Sequence, residues 1–220
     1  MEEEQNVKKS YEEKKREKEQ KRETQARAQK QKNTGRLLLR WIIALVILAL
    51  LSWGGYSLVK DQLPQTEDFS AVFPDQGRQH IPLEQDFTYN SNPPSSGNHH
   101  GRPAATGFYD IDDPVIPDRV IVHNLEHGDI WVTYKPNVPE DVKEVLRGLA
   151  AVKVIVTPRE ANDTDLAVVA WTRVDAFDLD EEADYERRIQ DFITRYINRG
   201  PERIPAGAGG HNTYDPVAGE

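Results

Sequence analysis

Residues 120–134 read Val-Ile-Val-His-Asn-Leu-Glu-His-Gly-Asp-Ile-Trp-Val-Thr-Tyr, and this stretch decides the fold. The runs at 120–122 and 130–134 are rich in β-branched and aromatic residues, which favour strands. The polar segment between them, 123–128, is short and ends in glycine, as hairpin loops often do. The stretch therefore predicts a β-hairpin whose loop carries two histidines and a carboxylate.

The predicted hairpin is followed by a helix, two strands and a second helix. Residues 139–150 are predicted to form a helix with acids in its first turn, and residues 152–157 a strand. Residues 166–174 are predicted to form one further strand, and residues 180–198 an amphipathic helix. This order predicts an α+β domain, with a mainly antiparallel sheet and the helices packed on one face of it.

The domain is expected to span residues 86–203. Before it, residues 60–85 are rich in proline and lack periodicity, which indicates a linker. Residues 87–89 are predicted to form a short strand, and residues 90–107 a loop whose length indicates a function beyond connection. After the domain, residues 204–220 are rich in glycine and are expected to be a flexible tail.

Residues 37–59 are predicted to form a membrane anchor, because residues 41–59 are an uncharged, mostly aliphatic run. Its length nearly spans a hydrocarbon core of about 30 Å, and aromatic residues stand near both ends. A cleaved signal peptide fits poorly, because the preceding segment is too long and no small-x-small cleavage site follows. A buried core helix fits poorly because the polar flanks are abrupt. We therefore expect the lipid bilayer to be a partner of this segment.

Charge is divided unevenly along the 220 residues, whose net charge is −9. Residues 1–40 contain 13 Lys and Arg against 8 Asp and Glu, a net charge of +5, which leaves −14 for residues 41–220. The positive segment predicts that the charged tail, residues 1–36, stays in the cytoplasm and that the domain lies outside the cell membrane. An acidic exported domain argues against nucleic acid as a partner. The sequence names no protein partner.

Composition and motifs restrict the chemistry further. The chain has no cysteine, so disulfides and thiolate ligands are excluded, and its one methionine is the initiator. It contains no P-loop, and its glycine-rich segment neither follows a strand nor opens a helix, so no nucleotide cofactor is expected.

Four of the six histidines lie in two short segments, 92–101 and 123–128. If the second segment were extended, its two histidines would be about 13 Å apart, too far for bonds of about 2 Å to one ion. A hairpin loop or one helical turn would bring them together. Adjacent residues point apart, so one of the two upstream histidines is expected to be the better ligand. The predicted metal ligands are His99, His100, His123, Glu126 and His127.

Imidazole with carboxylate favours a divalent transition metal such as zinc or copper. Tyr89, Tyr109 and Glu126 are candidates for auxiliary ligands or for groups that orient the ligands. The pattern His123-x-x-Glu126-His127 also matches the inverted zinc-peptidase motif, in which the glutamate is the general base. That motif belongs on a helix, whereas strand-like runs flank it here, so its context argues against a peptidase.

The motifs together resemble a known bacterial family. Pro93-Pro94-x-Ser-Gly-x-His99, Gly107-x-Tyr-Asp110 and His123-Asn-Leu-Glu-His-Gly128 are similar to domain of unknown function 3105, as are Ala170-Trp171 and Gly200-Pro-Glu202. The resemblance covers about residues 87–203. It implies an envelope domain, often anchored in the membrane, and it implies no particular activity.

Three hypotheses follow from these features. The first is a membrane-anchored extracytoplasmic domain that binds a divalent transition metal through the clustered histidines. The second is a metal-dependent hydrolase with Glu126 as general base. The third is a structural or partner-binding envelope module whose histidines satisfy hydrogen bonds in loops.

Overall fold

The computed structural model describes residues 2–60, 63–179, 184–204 and 213–219, and it contains two compact units, Met1–Lys60 and Asp61–Glu220. One helix, α1 (Glu2–Val59), makes up the first unit. Its segment Gly35–Val59 has a mean hydropathy of 2.2 and buries none of its most apolar window against protein. By length and composition alone, this segment can cross a membrane.

The second unit is an α+β domain built on one six-stranded sheet. Its strands are β1 (Ala71–Val72), β2 (Gly107–Phe108), β3 (Ile130–Tyr134), β4 (Val154–Pro158), β5 (Leu166–Ala170) and β6 (Arg173–Phe177). Its helices are α2 (Asp118–Glu126), α3 (Glu140–Leu149) and α4 (Tyr185–Tyr196). The strand order is β1-β6-β5-β3-β4-β2. The pairs β1–β6, β5–β6 and β3–β5 are antiparallel, and β3–β4 and β2–β4 are parallel. The predicted α+β class with a mainly antiparallel sheet is confirmed.

One face of the sheet packs against α3 and α4. The chain leaves β3, runs through α3 and returns as β4, and such a crossover is what a parallel strand pair requires. Val132 and Val168 point to this side of the central strands, where Leu146 of α3 and Ile189 and Phe192 of α4 complete the core. The predicted helices at 139–150 and 180–198 correspond to α3 and α4, although residues 180–183 lie outside the described part of the chain.

The other face of the sheet packs against α2. Alternate residues of the strands, among them Trp131, Ile155 and Val169, meet Ile121 and Leu125 of α2 on this side. The helices therefore cover both faces, and α2 lies on the face where the sequence predicts no helix. This position matters because α2 carries the histidine motif.

The predicted hairpin around residues 123–128 is wrong. Residues 118–126 form helix α2, which follows Pro117 and carries Asp118 in its first turn. Local β propensity is weak and depends on context, so burial of a helical face against the sheet outweighs it. Ile121 and Leu125, spaced by four residues, are both fully buried on that face. Gly128, with φ +79°, then turns the chain into β3.

Two smaller strand predictions also differ from the structure. Residues 166–174 form parts of two antiparallel strands, β5 and β6, that turn at Trp171 and Thr172. Thr172 has φ +63°, and this uncommon conformation is held by tertiary contacts, because its N–H donates to Ser95 O at 2.9 Å and its carbonyl accepts from Phe73 N at 2.9 Å. Residues 87–89 do not form a strand.

Candidate metal centre

The last turn of α2 presents three ligand side chains together. His123, Glu126 and His127 lie three and four residues apart, a spacing that puts them on one side of a helix. The rings of the two histidines are 4.5 Å apart between centroids, and their Nε2 atoms are 3.1 Å apart. The convergence predicted for this pair is therefore achieved by a helical turn. The His-x-x-Glu-His motif therefore lies on a helix, whereas the hairpin prediction placed it in a loop between two strands.

The loop at 92–101 brings His99 against this turn. His99 is fully buried, and its Nε2 lies 3.0 Å from Oε2 of Glu126. The alignment is not that of an N–H···O hydrogen bond, so Nε2 has no hydrogen-bond partner although it is buried. Gly97 makes this loop feasible, since its φ is +125° and a Cβ there would lie 2.6 Å from the ring of Phe87. An unpartnered buried nitrogen beside a carboxylate is the arrangement expected of two ligands of one ion.

His80 completes the group, although it is not among the ligands predicted from the sequence. Residues 79–81 pair with His99 through backbone hydrogen bonds of 2.8 and 3.0 Å. This pairing stacks the ring of His80 on that of His123, with centroids 4.9 Å apart. One ligand atom from each of His80, His99, His123 and Glu126 lies within 4.8 Å of the others. No local pattern marks His80, because it stands in a proline- and glycine-containing segment without periodicity.

Hydrogen bonds on the far side of two rings determine which nitrogen faces the site. His123 Nδ1 lies 2.7 Å from the carbonyl oxygen of His100, and His99 Nδ1 lies 2.8 Å from that of Gly97. A carbonyl oxygen only accepts, so each Nδ1 carries the proton and donates it. Each Nε2 then carries a lone pair, and it lies 3.0 Å from Glu126 Oε2 in His99 and 3.1 Å from His127 Nε2 in His123. Histidine ligands of metals in proteins are usually oriented in this way.

Burial keeps these histidines neutral. It lowers the pKa of His99 to about 4 and that of His123 to about 3, and it lowers the pKa of His127 as well. Burial also raises the pKa of Glu126 to about 7, with the nearby carboxylate of Glu202 adding to the effect. Each shift disfavours the charged form. At neutral pH the imidazoles are therefore in the form that binds a cation.

A second group of ligand atoms adjoins the first. Glu126, His127 and Glu202 each place one ligand atom within 4.8 Å of the others. Glu202 Oε2 lies 3.7 Å from Nε2 of His127. In the sequence Glu202 stands out only as part of the family resemblance, because it lies 75 residues from His127 and no spacing rule connects the two.

Three residues singled out in the sequence lie outside both groups. The ring of His100 packs edge-on against Tyr214, 5.5 Å between centroids. Only the backbone carbonyl of His100 contacts the site, where its oxygen accepts a hydrogen bond from His123 Nδ1. The hydroxyl of Tyr89 donates to Asn98 O at 2.8 Å, and that of Tyr109 donates to Ala105 O at 2.9 Å. Tyr89 thus supports the residue before His99, whereas His100 and Tyr109 contribute no side-chain atom to either group.

Comparison with known proteins identifies a family. A family model described as "Protein of unknown function (DUF3105)" matches residues 80–208, more than half of the chain. The chain therefore belongs to this family, which confirms the resemblance seen in its motifs. His80 is the first matched residue and Glu202 lies near the end of the match, so both ligand groups fall inside it. No curated protein and no solved structure matches the chain.

Proposed function

We propose that this member of the DUF3105 family is a membrane-anchored protein that binds a divalent transition metal outside the cytoplasm. His80, His99, His123 and Glu126 are the proposed ligands. One observation carries the proposal: four ligand atoms converge within 4.8 Å, and one of them, His99 Nε2, is buried without a hydrogen-bond partner. Leaving a buried polar atom unpartnered costs about 1–3 kcal/mol. A bound cation would remove that cost.

The donor set favours zinc or copper in the divalent state. Three imidazoles and a carboxylate match the four-coordinate sites that Zn²⁺ forms in proteins, and Cu²⁺ also accepts nitrogen and oxygen ligands. In a tetrahedral site with bonds of about 2.0 Å, two ligand atoms lie about 3.3 Å apart. The 3.0 Å between His99 Nε2 and Glu126 Oε2 is close to that separation. Cu⁺ is disfavoured, since the chain has no cysteine and its one methionine is residue 1.

The membrane arrangement rests on charge. Gly35–Val59 would act as a single-pass anchor, and the net charge of +5 on residues 1–40 favours retention of that end in the cytoplasm. The acidic domain would then face the outside, with a metal site opening through the exposed His80. Reporter fusions at either end of the chain test this orientation. An active cytoplasmic reporter at the C-terminus would refute it.

The helical context of the motif favours a second candidate, a metal-dependent hydrolase. In this function Glu126 would accept a proton from the attacking water, which the metal makes more acidic. A glutamate with a pKa raised to about 7 is suited to that role near neutral pH. Replacing Glu126 with Gln separates the two functions. A ligand role predicts loss of metal, whereas a general-base role predicts retained metal with loss of turnover in peptide and ester assays.

The test of metal binding is elemental analysis of the untagged full-length chain in detergent, before and after dialysis against chelator. We expect at least one zinc or copper ion per chain, and we expect its loss in the double variant His123→Ala, His127→Ala. His100→Ala is the matched control, because its ring contacts neither ligand group, so this variant should keep its metal. Full retention of metal by the double variant would refute the proposed site. Absence of metal from the unaltered chain would favour a structural or partner-binding module.

A further inference from the structure

We infer that a second metal ion binds beside the first, at an outer position formed by His127, Glu202 and the shared carboxylate of Glu126. The inference rests on the proposed function, because Glu126 also belongs to the inner site. A carboxylate has two oxygens and can bridge ions that lie about 3.5–4 Å apart, as in two-metal hydrolytic sites. The outer position supplies one imidazole and two carboxylates, a donor set suited to divalent cations.

The loop that carries Glu202 is held against α2 by the backbone. Asn198 N–H donates to Gly128 O at 2.7 Å, and Glu202 N–H donates to Glu126 O at 2.9 Å. Between these bonds, Gly200 lies so close to the helix end that a Cβ would be 2.3 Å from Glu126 O and 2.3 Å from Gly128 N. Only glycine permits that approach. The contact places the Glu202 side chain beside His127 without any help from an ion.

A buried lysine ties the same two segments together. Lys153 donates to the carbonyl oxygen of His127 at 2.7 Å and to that of Ile204 at 2.9 Å, and its Nζ lies 3.3 Å from the carboxylate of Asp129. The ammonium group therefore fixes the backbone on both sides of the outer position. A site whose ligands are held in place before binding loses less conformational entropy when the ion arrives.

The two positions differ in their access to solvent. In the inner group His99, His123 and Glu126 are buried and His80 is exposed, whereas in the outer group only Glu126 is buried, and the side chains of His127 and Glu202 are 13 % and 50 % exposed. His127 Nε2 lies 3.1 Å from His123 Nε2, so the outer group directly adjoins the inner one. An ion at the outer position would keep contact with water and exchange faster than the inner ion.

The test is calorimetric titration of the metal-free full-length chain in detergent with Zn²⁺. We expect two ions per chain. In Glu202→Gln we expect one, with the tighter binding event unchanged within about threefold. This substitution keeps the backbone hydrogen bond of Glu202, so the loop remains docked. Glu160→Gln removes the same charge from an exposed turn outside both groups, and this control should still bind two.

Electron paramagnetic resonance of the Cu²⁺-loaded chain gives an independent measurement. Two Cu²⁺ ions bridged by Glu126 would couple, so the signal would integrate to fewer spins than the copper present. Glu202→Gln should restore the signal of one isolated ion. One Zn²⁺ per chain, unaltered by Glu202→Gln, would overturn the outer site and leave the inner site standing. No binding at all would overturn both.

Discussion

Among the glycines that the structure describes, Gly200 is the one where an added Cβ would approach its neighbours most closely. In Gly200→Ala the new Cβ would meet Glu126 O and Gly128 N at 2.3 Å and Leu125 O at 2.7 Å, well below ordinary contact at 3.4 Å or more. All three are backbone atoms, so no side-chain rotation relieves the overlap. The 198–204 loop must move away from α2 or the helix end must distort.

The expected cost follows from the contacts that this movement breaks. Overpacking a well-packed region costs about 1–3 kcal/mol. Weakening the two backbone hydrogen bonds, from Asn198 to Gly128 and from Glu202 to Glu126, adds about 1 kcal/mol each if both are lost. We therefore expect Gly200→Ala to lower the free energy of unfolding by about 3 kcal/mol. For a domain of this size that corresponds to a melting temperature about 9 °C lower.

The assay is differential scanning calorimetry of the metal-free full-length chain, so that loss of metal does not add to the effect. Gly148→Ala is the matched control. Gly148 lies in α3, and a Cβ there would meet nothing within 4 Å. Alanine is favoured over glycine inside a helix by about 0.5–1 kcal/mol, so this variant should melt slightly higher than the unaltered chain. Equal melting temperatures for the two variants would refute the assigned close approach.

Two further predictions concern buried polar groups. The metal-free chain should lose stability as the pH falls from 6.5 towards 4, because the unfolded chain binds protons on His99 and His123 while the folded chain, with pKa values of about 4 and 3, does not. The raised pKa of Glu126 acts in the opposite direction between pH 7 and 4.5, but one carboxyl group opposes two imidazoles, so we expect a net loss of stability. Urea unfolding at a series of pH values measures the free energy of unfolding. A free energy that rises on acidification would contradict this prediction. Thr157→Val should cost about 1–3 kcal/mol, because the buried indole N–H of Trp131 donates to Thr157 Oγ1 at 2.8 Å and would lose its acceptor. Thermal unfolding checks this, and Thr157→Ser, which keeps the hydroxyl, should recover most of the loss.

The sequence alone identified the features that depend on composition and local period. The apolar segment within 37–59 stands out because hydrophobicity over about twenty residues needs no tertiary information. The α+β class follows from the order of helical and strand-like patterns, and α3 is recognisable from the acids in its first turn. The clustering of histidines in two segments likewise pointed to one site, since the chain has only six histidines and four of them lie in these segments.

Only the tertiary structure decided how that site is assembled. Residues 120–122 have strand propensity, yet they lie in α2 because burial of a helical face against the sheet is worth more than local preference. The His-x-x-Glu-His motif therefore lies on a helix, as the inverted zinc-peptidase motif does, and the argument against it from strand-like flanks no longer applies. His80 and Glu202 reached the site through backbone pairing with His99 and through the close approach of Gly200, contacts between segments far apart in the chain. The local sequence pattern indicates which secondary structure a segment prefers, whereas these contacts depend on the other segments that pack against it.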